Sequence, residues 1–148
     1  MVKDKIPYSL LVVEDNEADI YLITEAFQLA DVGTNLVVVK NGKAAIDFVF
    51  KQGLFEKVET PDLIFLDVNL PKANGHEVLK LLKQDEALRK IPVIMLTTSS
   101  SENDIQQSYQ NYVNCYITKP FEADAFIKMI AQIINFWADI VTLPTTKL

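Results

Sequence analysis

Five side chains in this sequence could act together on one substrate: Glu14, Asp15, Asp67, Thr97 and Lys119. Asp67 closes the apolar run LIFL inside the 61–75 stretch PDLIFLDVNLPKANG, which opens on Pro61 and ends in the turn residues Pro71, Asn74 and Gly75. A short apolar run between turn signals fits a fully buried strand of a parallel sheet. The other four residues follow runs of the same kind: SLLVV before Glu14-Asp15, PVIML before Thr97 and CYIT before Lys119. Open α/β sheets bind ligands at the C-terminal ends of their strands, so these residues would meet at one edge. Carboxylates crowded there repel, and at least one takes a proton unless a cation is present. A hard divalent ion with oxygen ligands resolves the repulsion, and Mg2+ is the abundant candidate. The hydroxyl and the ammonium are donors suited to a tetrahedral oxyanion. A nucleophilic Asp67 beside Mg2+, a lysine and a threonine describes a site that forms an aspartyl phosphate.

The elements that must hold these residues alternate along the chain. Ser9–Val13 reads as a strand and Glu17–Ala30 as a helix, with Asn16 as N-cap and Ile20, Ile23, Phe27 and Ala30 at helical spacing. Gly33 ends that unit, and a β-branched run at 36–39 makes the second strand. Asn41-Gly42 opens a helix carrying Ala45, Ile46, Val49 and Phe50, followed by a polar connector at 53–59 with no clear period. Beyond the strand that ends at Asp67, Gly75–Gln84 carries Val78, Leu79, Leu81 and Leu82 and reads as an amphipathic helix. A fourth strand covers 92–96, and Ile105, Tyr109 and Tyr112 mark a weaker helix on which the tyrosines should be half-buried. Cys115–Thr118 is the fifth strand, and 123–143 the last and most hydrophobic helix. This alternation with short connections means a doubly wound five-stranded parallel sheet with helices on both faces, because parallel strands need right-handed crossovers.

Length and composition narrow the setting. The 148 residues suit one domain over 1–148, with a core at about 8–143, a short N-terminal leader and a polar C-terminal tail. A net charge of −6 argues against nucleic acid and anionic membrane as partners. The leader MVKDKIPYS is too polar for a signal peptide, and no apolar run approaches spanning length. Cys115 has no partner for an internal disulfide, which fits a reducing cytoplasm, and reads as a small buried hydrophobe. His76 has no second histidine to make a metal pair and is expected to be exposed at a helix start. On the last helix, Lys128, Gln132, Asn135 and Asp139 share one narrow side. The apolar remainder spans roughly 200 degrees, where sheet docking needs only about 100. The surplus around Phe136 and Leu143 is therefore expected to be covered by a second copy in a two-fold homodimer.

In order, and over nearly the whole chain, Glu14-Asp15, Asp67, Thr97 and Lys119-Pro120 resemble a response-regulator receiver domain. NLPK after Asp67, LTTSS, NCYITKP and a C-terminal FW followed by VTLP resemble the single-domain regulators serving cyanobacterial-type phytochrome histidine kinases. The resemblance implies a flavodoxin-like receiver fold with strand order 2-1-3-4-5 and a cytoplasmic two-component phosphorelay role. In that role Asp67 accepts a phosphoryl group from a histidine kinase. Asp15 would bind Mg2+ directly, Glu14 through water, and Asn69 by its backbone carbonyl. Lys119 would pair with the acids and then, with Thr98, bind the phosphoryl oxygens. Thr97 and Tyr116 would form the switch pair, and the Lys119–Pro120 bond would be cis, as it often is in the family. Asn74 departs from the Asp common at that loop position, beyond the metal ligands. Such a receiver promotes its own phosphorylation and dephosphorylation without being a turnover enzyme. The chain ends soon after the fold, so output is expected through protein contact and not through a DNA-binding or enzymatic domain.

Two other classes share part of this chemistry. A Mg2+-dependent phosphatase of the haloacid-dehalogenase type also uses Asp, Thr and Lys. It places a second Asp two residues after the nucleophile, however, and Asn69 cannot shuttle a proton. A flavodoxin-like ligand-binding module needs a glycine-rich phosphate loop after the first strand, where EDNEAD would repel an anionic cofactor. Taken singly, the acids read as solvated turn residues, Lys119 as a surface lysine and Thr97 as a strand former. Their coincidence at successive strand ends is what favours a common site.

Overall fold

The computed structural model describes residues 9–30, 32 and 35–144. The leader before Ser9, the stop at Gly33 and the tail after Pro144 lie outside the described residues. The strands are β1 Ser9–Val13, β2 Asn35–Val39, β3 Leu63–Leu66, β4 Val93–Thr97 and β5 Cys115–Thr118. Between and after them run α1 Glu17–Ala30, α2 Gly42–Val49, α3 Gly75–Gln84, α4 Glu102–Gln110 and α5 Ala123–Asn135. All strand pairs are parallel, in the order β2-β1-β3-β4-β5, as the sequence leads one to expect.

The strands' period of two sends neighbouring side chains to opposite layers. Leu11, Val13, Ile64, Leu66, Val93 and Met95 meet Phe48 of α2 and Val78, Leu79 and Leu82 of α3. Leu10, Val12, Leu63, Phe65, Ile94 and Leu96 meet Ile23 of α1 and Phe126, Ile130 and Ile134 of α5. Each large side chain so buried contributes about 1.5–3 kcal/mol. This double burial is why the central strands read as continuous apolar runs.

Helix starts are held close to the strand ends by side-chain caps. Asn16 Oδ1 accepts from Asp19 N at 3.0 Å, Asn41 Oδ1 from Ala44 N at 2.7 Å, and Asn74 Oδ1 from Glu77 N at 3.0 Å. Ser101 Oγ accepts from Asp104 N at 3.2 Å. Such caps contribute about 1 kcal/mol each. Asn74 therefore serves as the cap of α3.

Four details differ from expectation. The 53–59 connector contains a 3-10 turn, Gly53–Phe55, which sets the Phe55 ring 5.2 Å from that of Phe48. In α4 the buried residue is Ser108, whose hydroxyl is satisfied by Asp104 O at 2.7 Å, while Tyr109 and Tyr112 are 49% and 76% exposed. The last helix leaves α geometry at Asn135 and makes a π turn over Phe136–Ile140. The chain beyond is extended: Val141 and Thr142 are β-branched, and Pro144 disfavours helix at Leu143. Leu143 consequently packs back on the α1–α5 layer and does not stand on a surplus outer face. Among the described residues, no helix is long and apolar enough to cross a membrane.

Candidate functional site

The sheet register brings the strand ends level. Val13 pairs with Leu66, and the ladder runs one residue further, Asp67 N donating to Val13 O at 3.1 Å and Glu14 N to Val39 O at 3.0 Å. On the other side Lys119 N donates to Thr97 O at 2.7 Å. Carboxylate oxygens of Glu14, Asp15 and Asp67 thereby lie within 4.8 Å of one another. Glu14 and Asp67 are buried and Asp15 is exposed. The loop after Asp67 folds back tightly, Gly75 N donating to Val68 O at 2.8 Å. A Cβ at Gly75 would stand 2.1 Å from the Asp67 carbonyl oxygen, so only glycine permits this approach.

Lys119 sits at the centre. Its Nζ donates to Asp19 Oδ2 at 2.8 Å, Glu14 Oε2 at 2.9 Å and Asp67 Oδ2 at 3.1 Å, with 3% of its side chain exposed. Asp19, in the first turn of α1, was not among the residues singled out by strand position, because helix packing and not strand order delivers it. Burial alone would pull the Lys119 ammonium down. The Asp19 and Glu14 hydrogen bonds and the Asp67 charge outweigh it and raise its pKa. Burial first, then the neighbouring Asp67 carboxylate, push the Glu14 carboxyl up to about 8. The two partners thus pull in opposite senses. The ammonium stays charged because three acids surround it, and a proton held on Glu14 relieves the surplus negative charge of the cluster.

One ammonium does not balance Glu14, Asp15, Asp19 and Asp67. An all-oxygen donor set with surplus negative charge fits a hard divalent cation. Asn69 is exposed beside it, its N–H donating to Asp67 Oδ1 at 3.3 Å.

Next to this cluster the β4–α4 loop is tied down through Ser99. Thr97 is fully buried, and its Oγ1 accepts from Ser99 N at 3.2 Å, while Thr98 is exposed. Tyr116 Oη donates to Ser99 O at 2.8 Å, and Ser99 Oγ donates to Asp104 Oδ2 at 2.6 Å. His76 Nε2 lies 2.9 Å from Asp104 Oδ1. His76 is therefore buried, not exposed at the helix start, because α4 packs over that end of α3. Its Nδ1 has no hydrogen-bond partner among the described residues. The Ser99 hydroxyl and His76 hold the Asp104 carboxyl below the usual range. The Lys119–Pro120 bond is trans, as are all peptide bonds of the described residues. That is the isomer X–Pro bonds prefer intrinsically. Cys115 is half-buried and not fully so, and burial pushes its thiol up.

Comparison with known proteins places this geometry. The response regulator receiver domain matches residues 10–131. Response regulator Rcp1 of Synechocystis sp. is 43% identical over 138 residues, 93% of this chain and 94% of that protein. The crystal structure of the Mn(2+)-bound form of Rcp1 superposes with a TM-score of 0.91 at 42% identity, covering 94% of this chain and 100% of the other. The phosphorylated cyanobacterial phytochrome response regulator RcpA gives 0.92 at 41% identity, covering 95% and 100%.

Proposed function

Because this chain belongs to the response regulator receiver domain family, we propose that Asp67 is the residue that accepts the phosphoryl group in its two-component phosphorelay. The observation that carries this reading is the Asp67 carboxylate held at a strand end between Lys119 and the Glu14–Asp15 pair. In the transfer, the bond from phosphorus to the kinase's histidine nitrogen breaks as an Asp67 oxygen bonds phosphorus, and the freed imidazole takes up a proton. Lys119 and Thr98 are read as donors to the phosphoryl oxygens. Incubation with acetyl phosphate and a divalent ion, followed by peptide mapping, tests the assignment. As its family membership suggests, the protein is read as a receiver that forms and loses its own acyl phosphate and not as a turnover enzyme.

The Mn(2+)-bound form of Rcp1 supports a cation held here by Glu14, Asp15, Asp67 and the Asn69 backbone carbonyl, and we take it to be Mg2+. When bound, such an ion supplies neutralisation of the charge on the transferring phosphoryl oxygens. Metal-free protein should show the strain of the cluster as a pH dependence. The folded chain holds a proton on Glu14 up to about 8, whereas the ordinary value is 4.5. Across that window the folded state binds the extra proton, so stability falls as pH rises, by at most about 1.4 kcal/mol per pH unit. Mg2+ competes with that proton and adds about 1.4 kcal/mol for each tenfold excess over its Kd. Thermal melts in chelator and in millimolar Mg2+ should show a larger gain near pH 8 than near pH 5. An unchanged Tm in Mg2+ at both would contradict a metal site.

Thr97 and Tyr116 are read as the switch pair. Both bond to Ser99, so movement of the Thr97 hydroxyl toward a phosphoryl group would loosen the Tyr116 contact as well. The Ser99–Asp104–His76 bonds give that movement a route to α4 and α3.

The partner is read as a phytochrome-type histidine kinase, as the RcpA likeness suggests, in the cytoplasm and without nucleic acid or membrane. We also read the protein as a two-fold homodimer through the end of α5. An open apolar groove of about 790 Å3, lined by Cys115, Ile117, Met129, Ile133, Phe136 and Trp137, supports this. Phe136 remains 47% exposed on its rim. Phe136→Asp should weaken self-association at least about a hundredfold, the scale of a buried aromatic hot spot. Sedimentation at micromolar concentration checks it, and a wild-type monomer with and without phosphorylation would sink the dimer.

A further inference from the structure

Asp19 has no part in the chemistry so far, yet it makes the shortest of the three contacts to Lys119, 2.8 Å against 2.9 Å for Glu14 and 3.1 Å for Asp67. A lysine ammonium has three N–H donors, and here each has its own carboxylate. We propose that Asp19 is a positioning residue for phosphoryl transfer: with Glu14 it anchors the Lys119 ammonium so that the donor now on Asp67 is aimed at the phosphoryl oxygen as the acyl phosphate forms. The proposal rests on the reading of Asp67 as phosphoacceptor.

The geometry favours a tether over a stability role. The lysine stem has four rotatable carbons, and one ion pair would leave the ammonium free to swing about it. Glu14 holds it from the end of β1 and Asp19 from the first turn of α1, so two independent elements fix its position. Asp19 is itself anchored, its N–H donating to Asn16 Oδ1 at 3.0 Å in the capped turn. A carboxylate there is also favoured by the helix N-terminus. Its side chain is 21% exposed against 3% for Glu14, which screens the pair and limits its direct contribution to stability. Charge alone would make Asp19 an obstacle, since it repels an incoming phosphoryl dianion. Orientation and charge therefore make opposite predictions.

The test uses the full chain at saturating Mg2+ with acetyl phosphate varied. In each turnover an Asp67 carboxylate oxygen bonds phosphorus, the bond from phosphorus to the acetyl oxygen breaks, and acetate leaves with the electron pair. Asp19→Ala should lower the saturating phosphorylation rate about tenfold or more, with the half-saturating concentration nearly unmoved. Asp19→Asn, whose amide oxygen still accepts from Lys119, should restore most of the rate. Thermal melts establish that both variants fold, as alanine and asparagine are small enough for this half-buried place in the first turn of α1. Equal rates in wild type and Asp19→Ala would overturn the positioning role, and faster rates in both variants would show that charge alone acts. Should wild type form no adduct, the reading of Asp67 and this proposal fall together, whereas an adduct formed at an unchanged rate in Asp19→Ala removes only the latter.

Discussion

Asp67→Asn protein should fold as the parent does and take up phosphoryl groups at least about a thousandfold more slowly, because an amide nitrogen is no nucleophile. The fold survives for electrostatic reasons. Asp67 is one of two buried carboxylates on Lys119, and its loss relieves the crowding that pushes Glu14 up. The amide oxygen can still accept from Lys119. Its NH2 group then faces the Asn69 N–H that Asp67 Oδ1 now accepts at 3.3 Å, a long contact whose loss costs about 1 kcal/mol. Circular dichroism and phosphotransfer measured on the same sample separate the two effects. Phosphorylation at the parent's rate would show that another residue is the acceptor.

Lys119→Ala should damage both the fold and the chemistry. With the ammonium gone, Glu14 and Asp67 are left as buried acids without a counter-charge, and breaking such a pair from one side costs about 3–5 kcal/mol. In a domain of this size that lowers Tm on the order of 10 °C. A remedy follows from the same cause: a divalent ion, which replaces the lost positive charge, should recover part of the stability. It should not recover phosphorylation, since the donor to the phosphoryl oxygens is still missing. A variant as stable as the parent in chelator at neutral pH would show that the cluster does not depend on Lys119. Melting curves with and without Mg2+ decide it.

The strand-end residues were legible because their placement is one-dimensional. Once LIFL and SLLVV are read as parallel strands, Asp67 and Glu14 must emerge level, and the register shows that they do. The layers were legible for the same reason, since a strand buried on both faces has a continuous apolar run. What remained hidden depends on packing between helices. Asp19 reaches Lys119 only because α1 packs against α5, the helix that follows Lys119, and nothing in EADI marks one acid over the other. His76 looked like a solitary surface histidine because its partner Asp104 lies on another helix, in a segment whose polar composition hid its inward side. That inward side is Ser108, a polar residue satisfied by its own helix, so an apolar count instead picked out the exposed tyrosines. Apolar periodicity makes the last helix look longer than it is, because it continues past Asn135, while β-branching and Pro144 turn the backbone out of helix.

The central claim, that Asp67 receives and holds a phosphoryl group, is tested most directly by mapping the adduct. The full chain is incubated with acetyl phosphate and Mg2+, quenched and digested, and released phosphate is followed in parallel. One acid-quenched, hydroxylamine-labile phosphoryl group should appear on the peptide carrying Asp67, dependent on divalent ion, with phosphate released no faster than that adduct decays. Continuous phosphate release without an adduct, or an adduct on any other residue, would contradict it.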